Sequence, residues 1–209
     1  MFRRKLTQSD LVRMGVPARY WTVSFDLVQE GVKGSPSKAV ENYISKLPSM
    51  VQMGAGLLLW GPNGTGKTCI AVLLGKELRR HGLSVFFLEA SSLKTVVADR
   101  HGFDADQSVW DRAKTVDVLI LDDLGKGVQD STGFGLRLID ELIRHRNGNQ
   151  LVTFVTTNMS LKVLKAEMKP STMHSIKECM VPILVDGKDQ REQTKSALLN
   201  QLMDGQDGP

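Results

Sequence analysis

Eight consecutive residues constrain this chain more than anything else in it: Gly61-Pro62-Asn63-Gly64-Thr65-Gly66-Lys67-Thr68, the pattern G-x-x-x-x-G-K-T. They follow a short apolar run, Gly56–Trp60, that reads as a strand, and they open a helical pattern from Lys67 to Arg80 that His81 and Gly82 close. Strand, glycine loop, helix is the setting in which this motif becomes a phosphate cradle. Glycines let the backbone curl until its N–H groups point inward, and the helix N-terminus adds a partial positive charge. From average composition the four fixed positions arise by accident in roughly one chain in a hundred of this length. The nine residues from Gly61 through Cys69 are therefore the expected contacts of a nucleotide triphosphate. Lys67 is placed to neutralise its β- and γ-phosphates, and the Thr68 hydroxyl to ligate magnesium.

A second apolar run, residues 116–121, ends in Asp122 and Asp123. A run almost wholly apolar suits a central parallel strand covered on both faces. In open α/β sheets ligands sit at the carboxyl edge of the strands, where these two carboxylates emerge. Asp122 is the expected magnesium holder, directly or through water, and Asp123 the group that orients or deprotonates an attacking water. A third run, residues 151–155, ends in Thr156-Thr157-Asn158. An amide there can hydrogen-bond the γ-phosphate or the water, or it can serve a turn or a cap. Lys67, Asp123 and Asn158 are thus the candidate catalytic residues, and Thr68 with Asp122 the candidate metal ligands.

Around these motifs the chain alternates strand and helix. Ser35 as N-cap, with Pro36 in the first turn, predicts a helix over 35–47 that Pro48 ends. Residues 85–88 predict a strand, Ser91 or Ser92 caps a helix carrying Leu93, Val96 and Val97, and residues 102–107 read as loop. Leu136, Ile139, Leu142 and Ile143 mark a further helix; residues 161–168 and the stretch after Pro170 mark two more, and 181–185 a last strand. Such alternation implies an α/β fold with a parallel central sheet flanked by helices, and 209 residues suit one domain of this kind. The basic start at Arg3, Arg4 and Lys5 has no apolar run after it, and no segment approaches the roughly 20 apolar residues of a bilayer span. Neither export nor membrane insertion is expected. Cys69 and Cys179 match no metal-ligand spacing and fit a reducing cytoplasm. The net charge of +4 is compatible with nucleic acid without requiring it.

Beyond the loop, the chain resembles the DnaC-type replicative helicase loaders and the closely related IstB transposition helpers, both AAA+ ATPases. The likeness spans residues 15–191. It is carried by Gly15-Val16-Pro17-Ala18-Arg19-Tyr20 with Phe25 shortly after, and by Gly56-Leu57-Leu58-Leu59-Trp60-Gly61 running into the loop. Leu119-Ile120-Leu121-Asp122-Asp123-Leu124-Gly125, residues 143–146 and Thr156-Thr157-Asn158 extend it. The Asp-Asp-Leu-Gly ending is the most telling part, although most AAA+ members carry Glu at the position of Asp123. The resemblance implies a P-loop NTPase of the AAA+ type, in the additional-strand class, with an extra strand between those that bear the two ATP motifs. It implies ATP and magnesium as cofactors and a base near Val16 to Tyr20; Gly187 to Arg191, G-x-x-x-R, resembles the family's terminal strand and nucleotide-side arginine, Arg191, and is described as well by a surface β-turn. The resemblance also implies a homo-oligomer that binds single-stranded DNA and opens or holds a hexameric replicative helicase.

On this reading, residues 1–34 form an N-terminal extension and base-contacting linker, 35–191 the AAA+ core, and 192–209 a C-terminal helix and disordered tail. The stretch before the core is short for the helicase-binding domain that loaders usually carry, which points to a phage or mobile-element version. Ala197, Leu198, Leu199, Leu202 and Met203 give the C-terminal stretch an amphipathic pattern that packs on its own core or meets a partner. No arginine occurs in residues 147–190, where the family carries the one that reaches the neighbouring subunit's ATP. Lys177, or Arg144 and Arg146 on the preceding helix, are the substitutes, and slow hydrolysis in isolation is expected. Lys94, Arg100, Arg112 and Lys114 make a candidate DNA-contacting groove. The expected function is an ATP-hydrolysing helicase loader of DNA replication. Its rivals are a transposition helper and a nucleotide-gated interaction protein that scarcely hydrolyses ATP.

Overall fold

Five apolar runs pair into one parallel sheet: β1 (Gly56–Trp60), β2 (Val85–Glu89), β3 (Val118–Asp122), β4 (Val152–Thr157) and β5 (Met180–Leu184). The computed structural model describes residues 5–25, 35–93, 105–125, 133–187 and 189. The strand order is β2-β3-β4-β1-β5. β4 therefore lies between β1, which leads into the glycine loop, and β3, which ends in Asp122, and this is the extra strand that the resemblance implies. β3 and β4 are buried along their whole length; β3 runs apolar as far as Leu121, and the three threonines of β4, Thr153, Thr156 and Thr157, are buried with hydrogen-bond partners.

Eight helices of the described residues cover the sheet: α1 (Gln8–Arg13), α2 (Ser35–Ser45), α3 (Leu47–Gln52), α4 (Lys67–Arg80), α5 (Ala105–Thr115), α6 (Phe134–Gly148), α7 (Leu161–Glu167) and α8 (Pro170–Cys179), with a 3-10 turn at Ala18–Tyr20. On one face Leu57, Leu59, Ile120 and Phe154 pack with Met14, Val40, Ile70 and Leu74, from the α1, α2 and α4 side. On the other, Leu58, Leu119, Leu121 and Val155 pack with Trp110, Ile139, Leu142, Leu164 and Ile176 of α5 to α8.

Local readings change at three places. The helix predicted over 35–47 ends at Ser45, and Pro48 sits in the first turn of the next helix, α3, where its missing N–H has no helical acceptor to lose. Residues 105–107, read as loop, open α5, whose sparse apolar spacing hides it because Trp110 and Ala113 alone are fully buried among its described side chains. α1 is fixed by a capping box. Thr7 Oγ1 accepts the Asp10 N–H (3.2 Å) while the Asp10 carboxylate accepts the Thr7 N–H (3.0 Å). Beyond α1 the Phe87 N–H of β2 donates to Met14 O (2.7 Å), and Leu11, Met14 and Val16 join the core. The readings at Lys94, Val96, Val97, Arg100, Arg191 and residues 192–209 lie outside the described residues.

Among the described residues the largest fully buried side chain belongs to a cation, Arg146, near the end of α6. Its Nε donates to Thr153 Oγ1 (2.9 Å) and its Nη1 to the carbonyls of Ala113 and Val116 (2.8 Å each). Nη2 donates to Val152 O (2.7 Å), with Asp117 O at 3.4 Å. Arg146 thus closes the carbonyl end of α5 and ties it to the starts of β3 and β4. Burial pushes its guanidinium down to about 9, so it stays charged at neutral pH. Sealed in this way it cannot reach a neighbouring subunit, and it is removed from the substitutes for the missing arginine.

Candidate functional site

Because every pair of strands is parallel, the carboxyl ends of β1, β3 and β4 share one edge, and the three polar motifs emerge there together. The glycine loop follows β1. Gly64 and Gly66 hold φ of 76° and 94°, a region that suits glycine. A Cβ at Gly64 would overlap the Asp189 carboxylate, and one at Gly61 the Val185 carbonyl, so the chain after β5 lies against the loop. Gly66 is the N-cap of α4 and brings no side-chain acceptor to the first N–H groups of that helix. Those donors, with the positive end of α4, form an anion cradle. Lys67 is buried, and its ammonium donates to Gly61 O (2.9 Å) and Pro62 O (2.5 Å), which holds the charge at the loop.

Asp122 ends β3 and is buried. Its Oδ1 accepts both the Thr68 hydroxyl (2.8 Å) and the Thr156 hydroxyl (2.6 Å). Burial raises its pKa from the ordinary carboxylate value, and the two hydroxyls work against that rise. Asp123 follows with φ 54°, a left-handed conformation that aspartate tolerates better than most residues. Its N–H donates to Thr156 Oγ1 (2.9 Å) and its carboxylate accepts the Asn158 amide (2.9 Å). Thr157 donates to Leu124 O, and Leu124 N–H to Thr156 O (2.8 Å). The end of β4 therefore fixes residues 122–124 from both sides. Asn158 Nδ2 holds the Asp123 carboxylate. Thr156, which the sequence placed in the third motif without a role of its own, bridges the two aspartates; its place two residues before Asn158, hence on the same face of an extended chain, is the signal that could have assigned one.

From the N-terminal segment, Tyr20 is brought to the site and Val16 is not. The Tyr20 phenol faces Thr68; burial raises its pKa and that polar contact opposes the rise. The Arg19 guanidinium stacks 4.7 Å from the Tyr20 ring centroid. Val16 is core, and its carbonyl accepts Trp21 Nε1 (2.8 Å). Cys69 lies half-buried in the first turn of α4, where burial pushes its thiol up. Of the candidate DNA groove, Arg112 stacks 4.2 Å over Phe86 and donates to Arg13 O, while Lys114 pairs with Glu141 at 3.5 Å. Both have intramolecular work. Arg144 is exposed, with a long 3.8 Å pair to Asp140, and Lys177 is exposed on α8.

Magnesium fits this donor set. Among the described residues no group of three or more His, Cys, Asp or Glu is arranged to hold a metal. A hydroxyl and a carboxylate converge instead at Thr68 and Asp122, and magnesium characteristically takes few protein ligands and fills its shell with phosphate and water. Among the described residues no helix is long and apolar enough to cross a membrane.

Comparison with known proteins agrees with this geometry. The family described as IstB-like ATP binding protein matches residues 3–178. The ATP-binding protein of insertion sequence IS1162 from Pseudomonas fluorescens is 34% identical over 107 residues, half of this chain and 42% of that protein. The replicative helicase loader DnaC of Escherichia coli K12 is 23% identical over 155 residues, 72% of this chain and 61% of that one. The chain thus spans less than two thirds of either relative. The crystal structure of the DnaC helicase loader superposes with a TM-score of 0.70 at 22% identity, covering 81% of this chain and all of the other. The fold is that of the AAA+ P-loop ATPases.

Proposed function

The chain belongs to the IstB-like ATP-binding family, and from that premise we propose that it is a cytoplasmic, ATP-hydrolysing replication protein that loads a ring-shaped hexameric helicase onto single-stranded DNA. The observation that carries the reading is the meeting of Lys67, Thr68, Asp122, Asp123 and Asn158 at one sheet edge, in a fold shared with a helicase loader. The loop N–H groups and Lys67 bind the phosphates. Asp122 accepts the Thr68 proton and so turns the lone pairs of that hydroxyl outward. Bound magnesium supplies charge neutralisation at the phosphates. Asp123, oriented by Asn158 and Thr156, takes the proton of the attacking water. With no arginine in residues 147–190 and Arg146 sealed inside, nothing in this stretch offers a bidentate finger to a neighbouring site. Hydrolysis is then slow in isolation, and ATP serves mainly to hold a homo-oligomer together on DNA.

Asp123→Asn is expected to slow hydrolysis by about 10² or more while ATP affinity stays within a few-fold of the parent, since an amide cannot take a proton from water. Asparagine tolerates the left-handed φ and can turn its oxygen to the Asn158 amide, so the loss is chemical and not structural. Single-turnover hydrolysis beside calorimetric binding makes the check, and parental turnover by the variant would remove Asp123 from the base role.

A transposition helper is the second reading, supported by the insertion-sequence relative at 34% identity. Co-purification from the native host, with ATP present and absent, separates the two. ATP-dependent retention of the replicative helicase is the expected result. Retention of a transposase in its place would transfer the chain to the second reading.

A further inference from the structure

One face of α4 lies under the chain that leaves the 3-10 turn, and Lys76 is the buried cation on that face. Its ammonium donates to three main-chain carbonyls, those of Tyr20 (3.0 Å), Trp21 (2.7 Å) and Val23 (2.9 Å). An ammonium has three N–H groups, and here each meets a main-chain carbonyl, of which the Tyr20 carbonyl also accepts the Val23 N–H (3.2 Å). An apolar side chain of similar length would pack as well and take from the Trp21 and Val23 carbonyls the donor that Lys76 gives them. Burial, with Arg80 nearby, pushes the Lys76 ammonium down to about 8, so it is mostly charged at neutral pH.

This attachment sets what faces the start of α4. Cys69 precedes Lys76 by seven residues, two helical turns, and so lies on the same face, with Thr68 beside it. The backbone fixed by Lys76 sends the Tyr20 side chain back along the helix to Thr68, and Arg19 stacks on the Tyr20 ring. Arg19 is exposed and has no hydrogen-bonded or ion-paired partner among the described residues. The phosphate cradle is built from N–H groups up to the first turn of α4, and the segment held by Lys76 meets the helix at and beyond that point. The resemblance implies a base beside Tyr20, and an arginine stacked on a tyrosine offers a flat, cationic surface to a flat base.

We propose that Lys76 is a positioning residue of the nucleotide site: by holding residues 20–23 on α4 it sets Arg19 and Tyr20 as a wall for the nucleoside end of ATP. The inference rests on the ATP-binding reading, and its test compares ATP with inorganic tripolyphosphate, which has the charge and no nucleoside. Calorimetry with magnesium on the full chain is expected to show the parent binding ATP more tightly than tripolyphosphate. Lys76→Met should lose about tenfold in ATP affinity and stay within about twofold for tripolyphosphate, with circular dichroism confirming the fold. Arg19→Ala, at an exposed site where folding is not at stake, should lose ATP affinity in the same selective way. Equal parental affinity for the two ligands, equal losses in Lys76→Met, or unchanged ATP affinity in Arg19→Ala would each overturn the inference. A parent that bound neither ligand would overturn the ATP reading and this inference with it.

Discussion

Lys67→Ala lowers ATP affinity by about 10² or more, enough to leave no measurable binding where the parent is saturated. A charge-assisted hydrogen bond contributes about 1.5–3 kcal/mol, and a factor of ten corresponds to about 1.4 kcal/mol. Lys67 joins two such effects. Its ammonium is the cation of the loop, and its bonds to Gly61 O and Pro62 O draw the two ends of the loop together. Alanine removes the charge and both of its hydrogen bonds, leaving the Pro62 carbonyl to the Thr65 hydroxyl alone, while the glycines and the N-terminus of α4 remain to offer N–H donors. The fold is expected to persist, because the loop sits at the sheet edge and the core on either side of β1 is untouched. Calorimetry measures the loss and thermal unfolding checks the fold. ATP binding at parental strength in a folded Lys67→Ala variant would take the phosphate site away from this loop.

Arg146→Ala costs the fold about 3–5 kcal/mol, a large part of the roughly 5–15 kcal/mol that holds a domain together. Truncation leaves the carbonyls of Ala113, Val116 and Val152 and the Thr153 hydroxyl without their donor and opens a cavity under α6. For a chain of this length that corresponds to a fall in Tm on the order of 10 °C. Arg144→Ala is the control: its side chain is exposed, its contact with Asp140 is long, and its stability should stay within about 0.5 kcal/mol of the parent. A catalytic finger predicts the opposite pattern, unchanged Tm with lost turnover. Parental stability of Arg146→Ala would show that its buried hydrogen bonds carry little net energy.

Arg146 also marks where reading the sequence stops. Composition and periodicity place it at the charged end of an amphipathic helix, where cations are ordinarily solvated and where a finger is plausible. Its burial depends on α5, which the sequence hid. That helix meets the core with few apolar residues, and without it the carbonyls that Arg146 satisfies have no location. The phosphate loop needed no such help. Its chemistry is carried by eight adjacent residues whose backbone preferences are local, so Gly61 to Thr68, the strand before them and the helix after them follow from the sequence. The parallel sheet and the emergence of Asp122 and Asp123 at its carboxyl edge follow as well, because a strand covered on both faces, as β3 is, runs apolar and turns polar where it ends. Contacts between residues distant in the chain were settled only by folding. Thr156 meets both aspartates, Asp189 lies on Gly64, Lys76 holds the carbonyls of residues 20–23, and Val16 turns inward while Tyr20 faces Thr68. A hydrogen bond across thirty or more residues leaves no periodicity in either partner. Its presence depends on angstrom-scale placement that packing of the whole core decides.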